Sequence, residues 1–165
     1  MITVYPKGEL HFQNKVYKCA IGKNGIKKKK LEGDGCTPGG TYSLGPLYYR
    51  SDRIRKLKTN FDTIPIKKNM FWSDYPHSNY YNKLIEFKDI SYESFYKINH
   101  TYDIVLVINY NINPIIAGKG SAIFLHLAKR DFSPTSGCIA LKKRCLFEIL
   151  EKLNNTDKIN IKSNY

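Results

Sequence analysis

The chain has 165 residues, enough for one domain to bury a core without disulfide or metal staples. Hydrophobic residues make up 42% and aromatics 13%, which excludes compositional disorder, and no apolar run approaches the ~18 residues of a membrane-spanning helix. The formal charge of +13, from 27 Lys and Arg against 14 Asp and Glu, favours a polyanionic partner: nucleic acid, anionic lipid or an acidic wall polymer.

The opening stretch "MITVYPKGELHF" lacks the basic segment, apolar core and small-residue cleavage site of a secretory signal, so none is expected there. "KVYKCAIG" (15–22) alternates crudely as a strand does, and Gly22 with Asn24-Gly25 marks a hairpin turn. "KNGIKKKK" (23–30) reads either as an anion-binding edge or, more plainly, as a solvated hairpin in a chain rich in Lys and Asn. "EGDGCTPGGTYSLG" (32–45) sets five glycines and a proline around a turn before a strand at Thr41–Leu44. Residues 50–100 are irregular and rich in Tyr, Asp, Asn and Pro. They predict an extended loop or cap region over one face of the core, with a short helix at Ser91–Ile98.

The last third is more regular. "YDIVLVINYN" (102–111), "SAIFLHLA" (121–128) and "GCIAL" (137–141) are apolar, β-rich runs of the kind that form buried strands. From Lys142 the spacing of Leu146, Ile149, Leu150 and Leu153 is helical, Asn154-Asn155 ends the helix, and "DKINIK" (157–162) alternates as a last strand. With no repeat and no composition break, residues 1–165 predict a single, mainly-β domain with one C-terminal amphipathic helix.

Four cysteines, Cys19, Cys36, Cys138 and Cys145, come without a CxxC pair or an HxxxH companion, which argues against a zinc site and for at least one free thiol. No metal and no organic cofactor is expected. Chemistry concentrates on "HLAKRDFSPTSGC" (126–138). His126 ends one predicted strand, a loop of about ten residues returns the chain, and Cys138 opens the next, so both side chains can reach one end of a sheet. A thiol attacks carbonyls as thiolate, and an imidazole within hydrogen-bond reach can take its proton. Gly137 allows close approach of a substrate, and the amides of Gly137 and Cys138 can face a developing oxyanion. The plain alternative is a buried histidine beside an inert buried cysteine.

"GSAIFLH" followed by "PTSGCIAL" resembles the catalytic segment of the L,D-transpeptidase (YkuD-type) family, and specifically a proteobacterial branch of it. "CAIG" at 19–22, "EGDGCTPGGTYSL" at 32–44, "YYRSDR" at 48–53 and "YDIVLVINYN" at 102–111 agree in order, so the resemblance spans nearly the whole chain. It departs from many family members in having Ser136 before the Gly-Cys step and Ala140 two positions after the cysteine. Leu127 follows the histidine and has no hydroxyl to orient the imidazole, which leaves a backbone carbonyl for that task.

The resemblance implies a β-sandwich of mixed sheets and a peptidoglycan L,D-transpeptidase, with an L,D-carboxypeptidase as the alternative outcome. Cys138 would be the nucleophile and His126 its base, with Gly137, Cys138 and Ser136 at the oxyanion. Arg50 and Arg53 would clamp stem carboxylates, because a planar guanidinium meets them bidentately; Trp72, Asp74 and Tyr81 would line the cleft from the cap. Stem peptides would be the partners and carbapenems the inhibitors, the protein a monomer in the periplasm or cell envelope. A basic nucleic-acid-binding domain is the rival from another class, but no helix-turn-helix, zinc or RNP-like pattern supports it. A catalytically dead wall-binding relative is disfavoured by the presence of both His126 and Cys138.

Overall fold

Ile104–Ile108 carries no polar residue because this strand is covered on both faces. The structure, a computed structural model, describes residues 1–28 and 31–163, so Lys29 and Lys30 of the basic run lie outside the described residues. In chain order, β1 (Ile2–Tyr5), β2 (Glu9–Phe12) and β3 (Lys15–Ala20) form an antiparallel meander. The short β4 (Ile26–Lys27) and β5 (Thr37–Pro38) pair in parallel before the long β6 (Gly40–Tyr49). β7 (Thr63–Pro65), β8 (Phe71–Ser73), β9 (Leu84–Ile85) and β10 (Tyr92–Ser94) follow. β11 (Ile104–Ile108), β12 (Phe124–Leu127) and β13 (Ile139–Leu141) lead into the helix α1 (Lys143–Lys152) and the strand β14 (Lys158–Ile161).

The main sheet runs β11-β12-β13-β3-β2-β1-β14-β6-β7 and closes on itself, because β6 also pairs with β11. Two strands turn the corners. Residues 15–18 of β3 pair with β2 while Cys19 and Ala20 pair with β13. Residues 40–43 of β6 pair with β14, and Leu44 and Leu47–Tyr49 pair with β11. The bend falls at Gly45, whose φ of +101° suits a residue without Cβ. Parallel pairs (β1–β14, β12–β13, β6–β7) sit among antiparallel ones, so this is a mainly-β fold of mixed sheets packed as a sandwich, with one short helix.

Period-two alternation assigns each strand residue to one of two apolar layers. Ile104, Leu106 and Ile108, with Leu125, Leu127, Ile139 and Leu141, face the larger layer between the sheets. α1 closes that layer with Leu146, Ile149 and Leu150, all buried. The helix has no side-chain N-cap, and it ends where Leu153 turns extended while its N–H still reaches Ile149 O. Val105, Val107, Phe124 and Cys138 face the opposite way, into a second layer.

The middle of the chain roofs that second layer. Instead of the expected helix at Ser91–Ile98, Tyr92–Ser94 is a strand paired antiparallel with β8, and β9 completes a three-stranded sheet inside the expected loop region. Pairing with β8 and burial of Phe95 outweigh local preference. Phe95 stacks on Trp72 at 5.9 Å and meets Phe124 edge-on at 5.3 Å, so it rivets roof to floor. No helix among the described residues is long and apolar enough to cross a membrane.

Phe95 is 0% exposed, so Phe95→Ala is expected to destabilise the fold by about 3–5 kcal/mol in denaturant titration, as truncated core aromatics do. Ile98→Ala, at a site 95% exposed, should change little.

Candidate active site

β12 and β13 run parallel with Leu125 opposite Ile139 and His126 opposite Ala140. Cys138 comes two residues before Ala140 and therefore shares a sheet face with His126, roughly 7 Å back along the strands and about 5 Å across. Both side chains line one cleft of about 480 Å³ under the roof.

His126 is 7% exposed. Its Nδ1 lies 2.9 Å from Leu127 O, and a carbonyl can only accept, so Nδ1 carries the proton and Nε2 keeps its lone pair. The orienting group is thus a backbone carbonyl, as the sequence led us to expect. Burial pushes the imidazole pKa down to about 4, so the ring is neutral at physiological pH. Tyr102 packs edge-on against it, ring centroids 5.0 Å apart.

Cys138 follows Gly137, whose φ of +147° is a glycine conformation at the turn into β13. The Cys138 thiol donates to Ala122 O at 3.2 Å and receives Phe124 N–H at 3.4 Å. Ala122 adopts φ +53°, unusual for a residue with a Cβ, and Asn82 Oδ1 holds its N–H at 3.1 Å. The same Oδ1 accepts from Trp72 Nε1 at 2.9 Å, while Asn82 Nδ2 donates to the carbonyls of Tyr110 and Asn111. One buried amide therefore ties roof, floor and the carbonyl beside the thiol together.

Thr135 braces the turn that leads into Cys138. Its hydroxyl donates to Cys138 O at 2.5 Å and accepts Gly137 N–H at 3.1 Å, and its own backbone bonds Ile21 O and Lys23 N–H. The Gly137 amide, expected to face an oxyanion, is thus engaged by Thr135 in this structure. Ser136 is exposed and lines the cleft.

The roof contributes a charged edge. Tyr102 stands beside Cys138 and Glu93, and burial raises its phenol well above the usual value. Lys97 pairs with Glu93 and lies 4.3 Å over the Tyr102 ring. Asp74 lines the cleft; its Oδ1 is buried with no partner, and burial raises the carboxyl pKa. Tyr81 sits one bond behind the wall, donating to Glu32 at 2.5 Å, while Glu32 also accepts from Ser121 at 2.7 Å. Trp72 is buried in the second apolar layer rather than on the cleft wall. Arg50 and Arg53 do not line the cleft either; both guanidiniums are engaged elsewhere in the protein. Among the described residues no three His, Cys, Asp or Glu side chains gather as a metal site.

Sequence reading missed Asn82, Glu93, Lys97, Tyr102 and Thr135 as parts of the site. Thr135 had a signal, since a threonine shortly before a Gly-containing turn often bonds the backbone just ahead of it. The others arrive from the roof by tertiary packing and carry no local pattern.

A neutral imidazole and a thiol on one sheet face, in a water-accessible cleft, are the elements of acyl transfer through a cysteine. The comparison with known families agrees: the YkuD family, L,D-transpeptidase catalytic domain, matches residues 1–161, and the chain belongs to it. Enzymes of this family are cysteine-dependent L,D-transpeptidases that act on peptidoglycan in the cell envelope. Neither the search of curated proteins nor that of solved structures returned a match.

Two outcomes follow. His126 is neutral when folded down to about 4, whereas an unfolded histidine titrates near ~6.5, so between these values the unfolded state binds more protons. Stability should be fully present above ~6.5 and fall by an amount on the order of 3 kcal/mol as pH drops to about 4. Melting curves across that window should show it, and His126→Gln should flatten the slope. Thr135→Val should cost about 1–3 kcal/mol by orphaning Gly137 N–H and Cys138 O, with Thr135→Ser recovering most of the loss.

Proposed function

We propose that Cys138 attacks the amide joining the third stem residue of peptidoglycan, diaminopimelate, to its terminal D-alanine. His126 Nε2 takes the thiol proton as the S–C bond forms, then gives it to the amine of D-alanine as the C–N bond breaks. An amine from a second stem attacks the thioester and gives its proton to His126, which passes it to the departing sulfur, leaving a cross-link between two third-position residues; water in its place leaves a tripeptide. The observation that carries this reading is the neutral, carbonyl-oriented His126 on the same face of the sheet as Cys138. An imidazole already protonated could not act as the base.

The amide of Cys138, with Gly137 shared from Thr135 and Ser136 at the rim, faces the oxyanion, a contribution of about 3–4 kcal/mol per donor in comparable enzymes. Lys23 and Lys129 on the cleft wall meet stem carboxylates, and Asp74 with Glu32 meets the ammonium of diaminopimelate. No cofactor takes part. The protein works as a monomer in the periplasm or envelope, where a basic surface suits a carboxylate-rich polymer.

Tetrapeptide muropeptides should yield cross-linked dimers, with tripeptide as a side product, by mass spectrometry of the digest. Tripeptide alone at high acceptor concentration would make the enzyme an L,D-carboxypeptidase. Cys138→Ala should abolish both products with little change in melting, and a carbapenem should add one mass equivalent to the wild type and none to Cys138→Ala. Turnover by Cys138→Ala at the wild-type rate would refute the nucleophile.

A further inference from the structure

The motif "YYRSDR" carries two arginines that the cleft does not use. Tyr49 at the end of β6 lies opposite Ile104 at the start of β11, so the chain leaving β6 runs beside the chain entering β11. Arg50 N–H donates to Asp103 O at 2.9 Å across that junction. Arg50 is 2% exposed, and its guanidinium is gripped by both Asp52 oxygens at 2.8 and 2.7 Å, which aims Nη1 at Lys97 O, 2.8 Å away. The Tyr96 ring covers it at 3.6 Å.

Arg53 continues the pattern along the chain. It donates to Ile98 O at 2.9 Å, to Asn99 O at 3.1 Å and to Asp103 Oδ1 at 2.8 Å. Three successive carbonyls, 97 to 99, therefore converge on two guanidinium forks. Asp103 is 1% exposed and accepts from Arg53 on one oxygen, with His100 Nδ1 at 2.7 Å from the other. No strand or helix holds this segment, and its tip presents Ile98 to water. Thr101 N–H and its hydroxyl bond Asn99 Oδ1 within the segment, and the two forks tie its carbonyls to the rest of the fold; a lysine ammonium, a single compact point of charge, does not reproduce the planar spread of donors that meets Asp52 and Lys97 O together.

The segment so held is the wall of the site. Lys97, Asn99, Thr101 and Tyr102 line the cleft. Thr101 O accepts Leu127 N–H at 3.0 Å, directly beside the carbonyl that orients His126, and Tyr102 packs on the imidazole and stands by the thiol. We infer that Arg50 and Arg53 are positioning residues: they clamp the backbone of residues 97–99 so that Thr101 and Tyr102 fix His126 against Cys138. This inference rests on the Cys138–His126 reading proposed above.

The test is alkylation of the full chain by iodoacetamide between about pH 6 and 9, read at Cys138 by peptide mass spectrometry, alongside thermal melting. Arg50→Lys and Arg53→Lys keep the charge and lose the fork. Each should slow alkylation at Cys138 by roughly 10- to 100-fold, as ångström-scale misplacement does, and displace its pH profile, read well below the melting transition of either variant. Arg55→Lys, on the exposed surface nearby, should behave as wild type. The substitutions leave every ionisable group of the cleft in the sequence, so a displaced profile reports their placement. Unchanged rates and profiles in both lysine variants would overturn the inference, and so would rates that fall only in step with melting under an unmoved profile. A raised KM for muropeptide with normal alkylation would return the arginines to the role of carboxylate clamps. If wild-type Cys138 alkylates no faster than Cys145, the nucleophile reading itself fails, and this one with it.

Discussion

The parallel pairing of β12 with β13 is the constraint on which the site depends. Most neighbouring strands here are antiparallel, and an antiparallel return from His126 would place the end of the loop level with its start. The parallel arrangement makes residues 128–138 travel back along the sheet, so that Cys138 enters beside the strand carrying His126. Register then does the rest: a slip of one residue would turn the thiol into the layer filled by Leu125 and Ile139. Both strands are buried on both faces, which is why so little slack remains in that register.

A floor alone does not make a reactive site. The thiol and the imidazole are held from above by polar groups that are themselves buried and bonded. Asn82 couples the Trp72 indole to the strained Ala122, and through it to the sulfur. Thr135 closes the turn from the other side. Such networks hold a geometry well when every member is satisfied and poorly when one is not. Asp74 Oδ1 and Ser133 Oγ on the cleft wall are buried without a hydrogen-bond partner, and of the two the carboxylate oxygen has more to gain from a cationic ligand.

How much of this could be read from residues alone follows the range of the interactions. The strands at 104–108, 124–127 and 139–141 announce themselves as apolar, β-branched runs, and α1 by its helical spacing. The His126–Cys138 pair is legible because strand, loop and strand lie within one short stretch. The β1–β2 hairpin also carries a pattern, with Ile2, Val4, Leu10 and Phe12 inward, though in so short a stretch it stands out little. The roof was not legible. Its strands are two or three residues long and exist through partners elsewhere in the chain, as Tyr92–Ser94 does through β8. The setting of the arginines was hidden for a related reason: chemistry says what a guanidinium binds, while only the fold brings carbonyls 97–99, some 45 residues away, within its reach.

The closed sheet has a consequence for how the protein comes into being. β14 sits between β1 and β6, so β1 gains its second neighbour only from a strand at the far end of the domain's sequence. Until residues 158–161 emerge, β1 and the start of β6 present open edges with unpaired backbone groups, the kind of template on which chains join to one another. Closure is therefore a late, long-range event that cannot proceed piecemeal from the front, as the high sequence separation of the β1–β14 pair requires. A chain still being synthesised or threaded through a pore has no native ring to rest in until residues 158–161 arrive, and is best kept extended or shielded before then.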